Sequence, residues 1–300
     1  MKNFLRYIVV TLFFTIVILE IVVRFFALSS HTLPNSIVNG DNLHKPYADD
    51  VYLRGGLAEI KGHYVINPQG FNSLKDYSKL QENKIKIAII GDSYIEGLQV
   101  DVEKSIGRII EEQMKDTVEV HEYGKSDANI VDYGLIYQKY VKGKYDYVFL
   151  WVTNKDLTQK VPGFMGRKDK IIKTNFARKI YQKAHFVRYL NMNHGIQSKV
   201  IDIVNKRFSP SSKNEYNISN EENFLKKINH DAISSLDESV VILYESEKLN
   251  PLFMSYFSFK EVEIIHKRLP KDFGFDLHWN LNGRINIAES IKKYINDNKK

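Results

Sequence analysis

Residues 84–101 read KIKIAIIGDSYIEGLQVD, and this stretch sets the fold. The apolar run from Ile85 to Ile90 reads as a buried strand, and Gly-Asp-Ser then breaks it. Apolar residues at helical spacing resume in VEKSIGRIIEEQMK (102–115). The alternation continues with a strand in VEVHEY (118–123), a helix in IVDYGLIYQKYVK (130–142) and a fully buried strand in YDYVFLWV (145–152). Strands joined through helices by short connections are parallel, with right-handed crossovers, so the sheet is covered on both faces. SVVILYE (239–245) reads as a fourth strand, and NGRINIAESIKKYIND (282–297) as a closing helix.

Composition narrows the chemistry. The 300 residues are 43% apolar and rich in aromatics, enough for one sizeable domain or two small ones. With no Cys, disulfides, thiolate metal sites and a Cys nucleophile are excluded. The nine His show neither HExxH nor clustering at ligand spacing, so a metal site is not expected.

The N-terminus has its own pattern. Phe4 to Leu28 is apolar except for Arg6, Glu20 and Arg24, long enough for a helix to cross a hydrocarbon core of about 30 Å. Glu20 and Arg24 stand four apart on one helical face and can pair. A cleaved signal peptide would have a shorter apolar core and a clearer cleavage site than FALSS, and a buried soluble helix, apolar all round, would be unusual at the extreme N-terminus. An uncleaved signal anchor fits best, spanning residues 1–29. Lys2 and Arg6 precede the span, which predicts a cytoplasmic N-terminus and an extracytoplasmic remainder, in a bacterial periplasm or at the cell surface. Residues 30–84, with Pro34, Pro46 and Pro68, read as a linker and a β-rich lead-in, and 85–300 as the main domain.

Residues 155–213 interrupt that domain with fourteen Lys or Arg against three Asp. This basic helical insertion is either a solvated surface or a face for anionic polymer or membrane headgroups. An extracytoplasmic location argues against nucleic acid.

Three sheet edges carry candidate chemistry. Ser93 follows the first strand, where loops of a parallel sheet open onto the ligand crevice. It can act as a nucleophile if a base takes its proton, or it and Asp92 can simply cap the next helix. A phosphate cradle is disfavoured, since neither GxxxxGK[ST] nor GxGxxG is present, and GDSYIEG is not GxSxG. Asp276 stands two residues before His278, where a carboxylate can hold one ring nitrogen and leave the other as a base. Asn154, in TNKD after the third strand, is either a turn residue or an oxyanion donor.

Together and in this order, these blocks resemble the SGNH (GDSL-type) hydrolase superfamily over about residues 85–297. IIGDSYIEG resembles its first block, TNKD its third, and DLHWN followed by NGR its last. The His-Trp-Asn sequence and the N-terminal anchor look most like membrane-tethered bacterial members associated with surface polysaccharide. The resemblance implies a flavodoxin-like three-layer α/β/α sandwich and a serine esterase without a cofactor. It makes Ser93 the nucleophile and Asp276 and His278 its partners, with an oxyanion hole from Ser93, Asp127 and Asn154. Asp127 stands where the second block usually has Gly, and Val152 where the third usually does. The implied substrate is an O-acyl ester, foremost O-acetyl, on a cell-surface carbohydrate. An O-acyltransferase using the same triad and a non-catalytic tethered glycan-binding module are the alternatives.

Overall fold

The computed structural model describes residues 2–31, 33–153, 155–156, 181, 183–196, 199, 230–245, 262–265, 269–271 and 274–298. Most of the basic insertion, and Asn154, lie outside the described residues. Two compact units emerge, one from residues 1–32, 50–61 and 172–215, the other from 33–49, 62–171 and 216–300.

In the first unit, α1 (Lys2–Phe25) is long and apolar enough to cross a membrane, and almost none of it is buried. Glu20 and Arg24 do pair, Arg24 Nε donating to Glu20 Oε1 at 2.6 Å. The same carboxylate accepts the N–H groups of His185 (3.0 Å) and Phe186 (2.7 Å). Those residues open the later helix His185–His194, whose first N–H groups have no partner within the helix. An acidic residue within the apolar helix is thus neutralised by a cation and by a helix end.

The second unit holds the sheet. Its lead-in comprises β1 (Asn35–Val38) and β2 (Asp41–His44), an antiparallel pair. The chain then passes through β3 (Asp49–Arg54) and β4 (Ile60–Val65) into β5 (Ile85–Gly91). There follow α2 (Ser93–Glu96), a 3-10 turn at Val102–Lys104, α3 (Ile106–Gln113) and β6 (Val118–Gly124). Next come α4 (Ile130–Ile136), running on as a π turn over Tyr137–Val141, and β7 (Tyr147–Trp151). Beyond these lie α5 (His185–His194, of the first unit), β8 (Val240–Glu245), β9 (Val262–Ile265) and α6 (Leu281–Asp297).

The sheet order is β6-β5-β7-β8-β9, all parallel, with Ile87 opposite Val120 and Tyr147. In order of appearance this is 2-1-3-4-5, the flavodoxin-like arrangement, whose switch point lies beside β5. Alternate residues of β5 serve the two faces. Ala88 and Ile90 join Tyr133, Ile136 and Ile233 in one core, while Ile87 and Ile89 join Ile106, Ile110, Ile287 and Ile291 in the other. Two apolar cores on opposite faces make the sheet unit three-layered, with helices covering both sides.

The expected helix at 102–115 splits because Ser105, in extended conformation, caps α3 by accepting the Arg108 N–H. Residues 33–49 and 62–84 of the lead-in belong to the sheet unit, and 50–61 to the first. Phe71 and Tyr77 are buried in the first core, and the Tyr77 hydroxyl bonds both the C=O (3.0 Å) and the N–H (2.9 Å) of Glu122. Since β6 is an edge strand, those contacts satisfy backbone groups that the ladder leaves open.

Candidate active site

β5 ends in Gly91 because nothing larger fits. A side chain there would run into Ile95 and come within 3.2 Å of Trp151 Cβ. Asp92 then caps α2, its Oδ1 accepting the Tyr94 N–H at 3.0 Å. This frees Ser93 from capping and makes it the first residue of α2, at the carboxyl end of the strand beside the switch point. Gly97 closes α2 in the left-handed conformation, φ +68°.

From the far end of the chain, the segment before α6 returns to the same sheet edge. His278 Nε2 lies 2.8 Å from Ser93 Oγ, and His278 Nδ1 lies 2.7 Å from Asp276 Oδ1. Asp276 Oδ1 also accepts the His278 backbone N–H at 2.8 Å, so one buried oxygen fixes both ring and backbone. A carboxylate accepts only, which places the ring proton on Nδ1 and leaves the Nε2 lone pair toward the serine hydroxyl.

Aromatic packing holds the imidazole in place. The Tyr94 ring sits 4.9 Å from that of His278 and 4.8 Å from that of Trp279, which meets Trp151 edge-on at 4.5 Å. The Tyr94 hydroxyl donates to the Leu277 C=O at 3.0 Å, tying the nucleophile helix to the histidine loop. Asn280 caps α6 through the Gly283 N–H, and Gly283 has no room for a side chain beside Trp279.

The third block's other residues sit close by. Asp156 is buried, its Oδ2 accepting the Thr153 N–H at 2.7 Å and the Thr153 hydroxyl at 2.9 Å. Burial and the charge of Asp92 push its carboxyl up to about 7. Burial likewise raises Asp92 to about 6, against the lowering by the Tyr94 N–H and His278.

Asp127 is exposed, in a turn with φ +64°. That is the backbone region glycine occupies freely, and Asp is among the few other residues that tolerate it. Two residues earlier the Lys125 N–H bonds the Gly91 C=O at 3.1 Å, pinning this turn to the end of β5. The structure therefore brings Ser93, His278 and Asp276 into one hydrogen-bonded chain and places Asp127 on a turn tied to the same strand end. Asn154 lies outside the described residues. Among the described residues no group of three or more His, Asp or Glu is arranged to hold a metal ion.

One set of polar residues has no counterpart in the sequence blocks. His44, Glu96 and Lys125 are buried together, with Ser126 beside them. They stand far apart in the chain, and only the close approach of β2, α2 and the turn after β6 unites them.

No protein-family model matches the chain, and no curated protein matches it. Among solved structures, the chain is similar to a protein assigned as an arylesterase from Agrobacterium tumefaciens, at 11% identity and TM-score 0.37, covering 71% of this chain and 99% of that one. A carbohydrate acetylesterase family member from Sinorhizobium meliloti gives 8% identity and TM-score 0.37, over 71% of this chain and 98% of that one. A protein assigned to the lipolytic G-D-S-L family from Desulfitobacterium hafniense gives 14% identity and TM-score 0.33, over 70% and 99% respectively. In structure, at this level of identity, the chain is similar to proteins named as esterases and as G-D-S-L family members.

Proposed function

We propose that the chain is an SGNH-type serine hydrolase that cleaves an O-acyl ester, foremost an O-acetyl group on a cell-surface carbohydrate, through an acyl-serine. The observation that supports this reading is the relay Ser93 Oγ to His278 Nε2 (2.8 Å) and His278 Nδ1 to Asp276 Oδ1 (2.7 Å). Ser93 Oγ attacks the ester carbonyl carbon while its proton passes to His278 Nε2. Asp276 keeps the imidazole in the required tautomer and stabilises the imidazolium. The Ser93 and Asp127 N–H groups and the Asn154 amide face the tetrahedral oxyanion, each donor contributing about 2.7–4 kcal/mol. Collapse expels the alcohol, which takes the proton from His278. Water, deprotonated by the same nitrogen, then releases the acid and regenerates Ser93. In this reading α1 tethers the chain, with Lys2 and Arg6 on the cytoplasmic side and the remainder extracytoplasmic.

The test is p-nitrophenyl acetate turnover by the full chain in detergent micelles, compared with Ser93→Ala. The substitution is expected to lower kcat by about 10³-fold or more. Equal rates would overturn the assignment.

A further inference from the structure

The hydrolase reading needs an N–H donor fixed relative to Ser93, and the donor's peptide sits on an exposed turn. Asp127's N–H belongs to the planar peptide unit that begins at the Ser126 carbonyl, so whatever holds Ser126 aims that N–H. We propose that Glu96 and Ser126 form a strut between the nucleophile helix and the turn carrying the Asp127 N–H, making both of them positioning residues for oxyanion stabilisation. The proposal rests on that reading of Ser93.

Glu96 ends α2, one helical turn after Ser93, and its carboxylate is buried. One carboxylate oxygen accepts the Ser126 hydroxyl and the other accepts the Nε2–H of buried His44. Lys125 Nζ, also buried, lies 3.1 Å from the same His44 nitrogen and supplies the positive charge that a buried carboxylate requires. The Glu96 C=O is itself fixed, accepting from Asn72 Nδ2 at 2.9 Å. Burial alone would raise the Glu96 carboxyl, but His44, Lys125 and Ser126 hold it down at about 2. It is thus ionised, and accepts only, throughout the physiological range.

The backbones are brought close enough for this contact. Gly124 leaves no space for a side chain, since a Cβ there would collide with the Glu96 backbone. The strut and the Lys125-to-Gly91 backbone bond (3.1 Å) therefore grip the turn at successive residues, one from α2 and one from β5. Asp127 holds φ +64°, which Asp tolerates but does not by itself fix, so the two grips set the direction of its N–H. His44 orients Glu96 from β2, which gives the lead-in a part in the site that its distance in sequence conceals.

The test uses the full chain in detergent, with Ser126→Ala and Ser126→Thr. The alanine variant should lose about 10–100-fold in kcat on p-nitrophenyl acetate with KM within about twofold, because the lost aim matters only once the oxyanion forms. Its inhibition constant for a trifluoromethyl ketone, whose adduct carries the same oxyanion, should weaken by the same factor. Threonine, which retains the hydroxyl, should recover most of both. A merely structural role would lower the melting temperature and leave the inhibition constant unchanged in the folded fraction, which would overturn the strut. Unaltered kcat in Ser126→Ala, where the wild type does depend on Ser93, would also overturn it, while leaving the hydrolase reading intact. If wild type and Ser93→Ala turn over equally, the hydrolase reading fails and the strut falls with it.

Discussion

Asp127 is the residue at which backbone and side chain pull in opposite directions. Its φ of +64° suits glycine, and in the proposed mechanism its N–H is an oxyanion donor. In that mechanism its carboxylate would put negative charge near developing negative charge, which would oppose the transition state. Asp127→Gly keeps the donor, relaxes the backbone and removes the charge, so kcat for p-nitrophenyl acetate is expected to rise several-fold with KM little changed. Asp127→Ala also removes the charge, but it keeps a Cβ in left-handed backbone, a cost of about 1–2 kcal/mol relative to glycine, and lacks the polar side chain that lets Asp tolerate it. Alanine should therefore fall below glycine in both rate and melting temperature. Equal rates in all three proteins would remove Asp127 from the oxyanion site. The substitution itself was visible in EYGKSDAN; that the turn retains a glycine-like conformation was not, because φ at a non-glycine residue is set by its neighbours.

Among the elements, α2 is the smallest and the most constrained. Four residues cannot sustain a helix by propensity, so α2 exists through its caps and packing. Asp92 starts it, and Gly97 stops it with φ +68° against the buried guanidinium of Arg284. Gly97→Ala meets both the left-handed penalty and that guanidinium, an expected cost of about 1–3 kcal/mol. Because α2 carries both Ser93 and Glu96, kcat should fall together with the denaturation midpoint; an unchanged midpoint would show that the turn tolerates a Cβ. The longer elements were readable in advance for the converse reason. β5, β7 and β8 are apolar runs buried in the sheet, β6 alternates Val118, Val120 and Tyr123 with polar residues, and α6 shows helical spacing with its cap sequence before it. The hydrogen-bonded chain of Ser93, His278 and Asp276 was legible because Asp276 and His278 are neighbours in sequence, and because GDS and HWN have few bland explanations when they occur in order. The four-residue β9 was missed, being too short to show a period. His44, Glu96 and Lys125 were missed because three single charges dispersed over 82 positions look like surface residues until the fold buries them.

For the whole molecule, these buried carboxyl groups shape the dependence of stability on pH, and they act in opposite directions. Glu96 titrates near 2 in the folded chain against an ordinary 4.5, so its contribution is full above about pH 4.5 and is lost as pH falls toward 2. Asp92 and Asp156 titrate near 6 and near 7 against an ordinary 3.8. Between those values the folded chain binds more protons than the unfolded one, so stability is full below about pH 4 and declines as pH rises to 7. The sheet unit should therefore be most stable near pH 4–5 with respect to these groups. Asp156→Asn isolates the alkaline side of that optimum. Its amide oxygen can still accept from the Thr153 N–H and hydroxyl, and it has no proton to lose. Melting curves of the full chain in detergent between pH 4 and 8 should show the wild type losing stability through this window. The Asn variant should lose distinctly less, with a difference on the order of a few kcal/mol by pH 7. Parallel curves would mean that Asp156 is already ionised in the folded state at pH 5. The third block would then hold a fixed negative charge beside Asp92, and Asp156→Asn should shift the pH profile of kcat, which a neutral Asp156 would leave in place below pH 7.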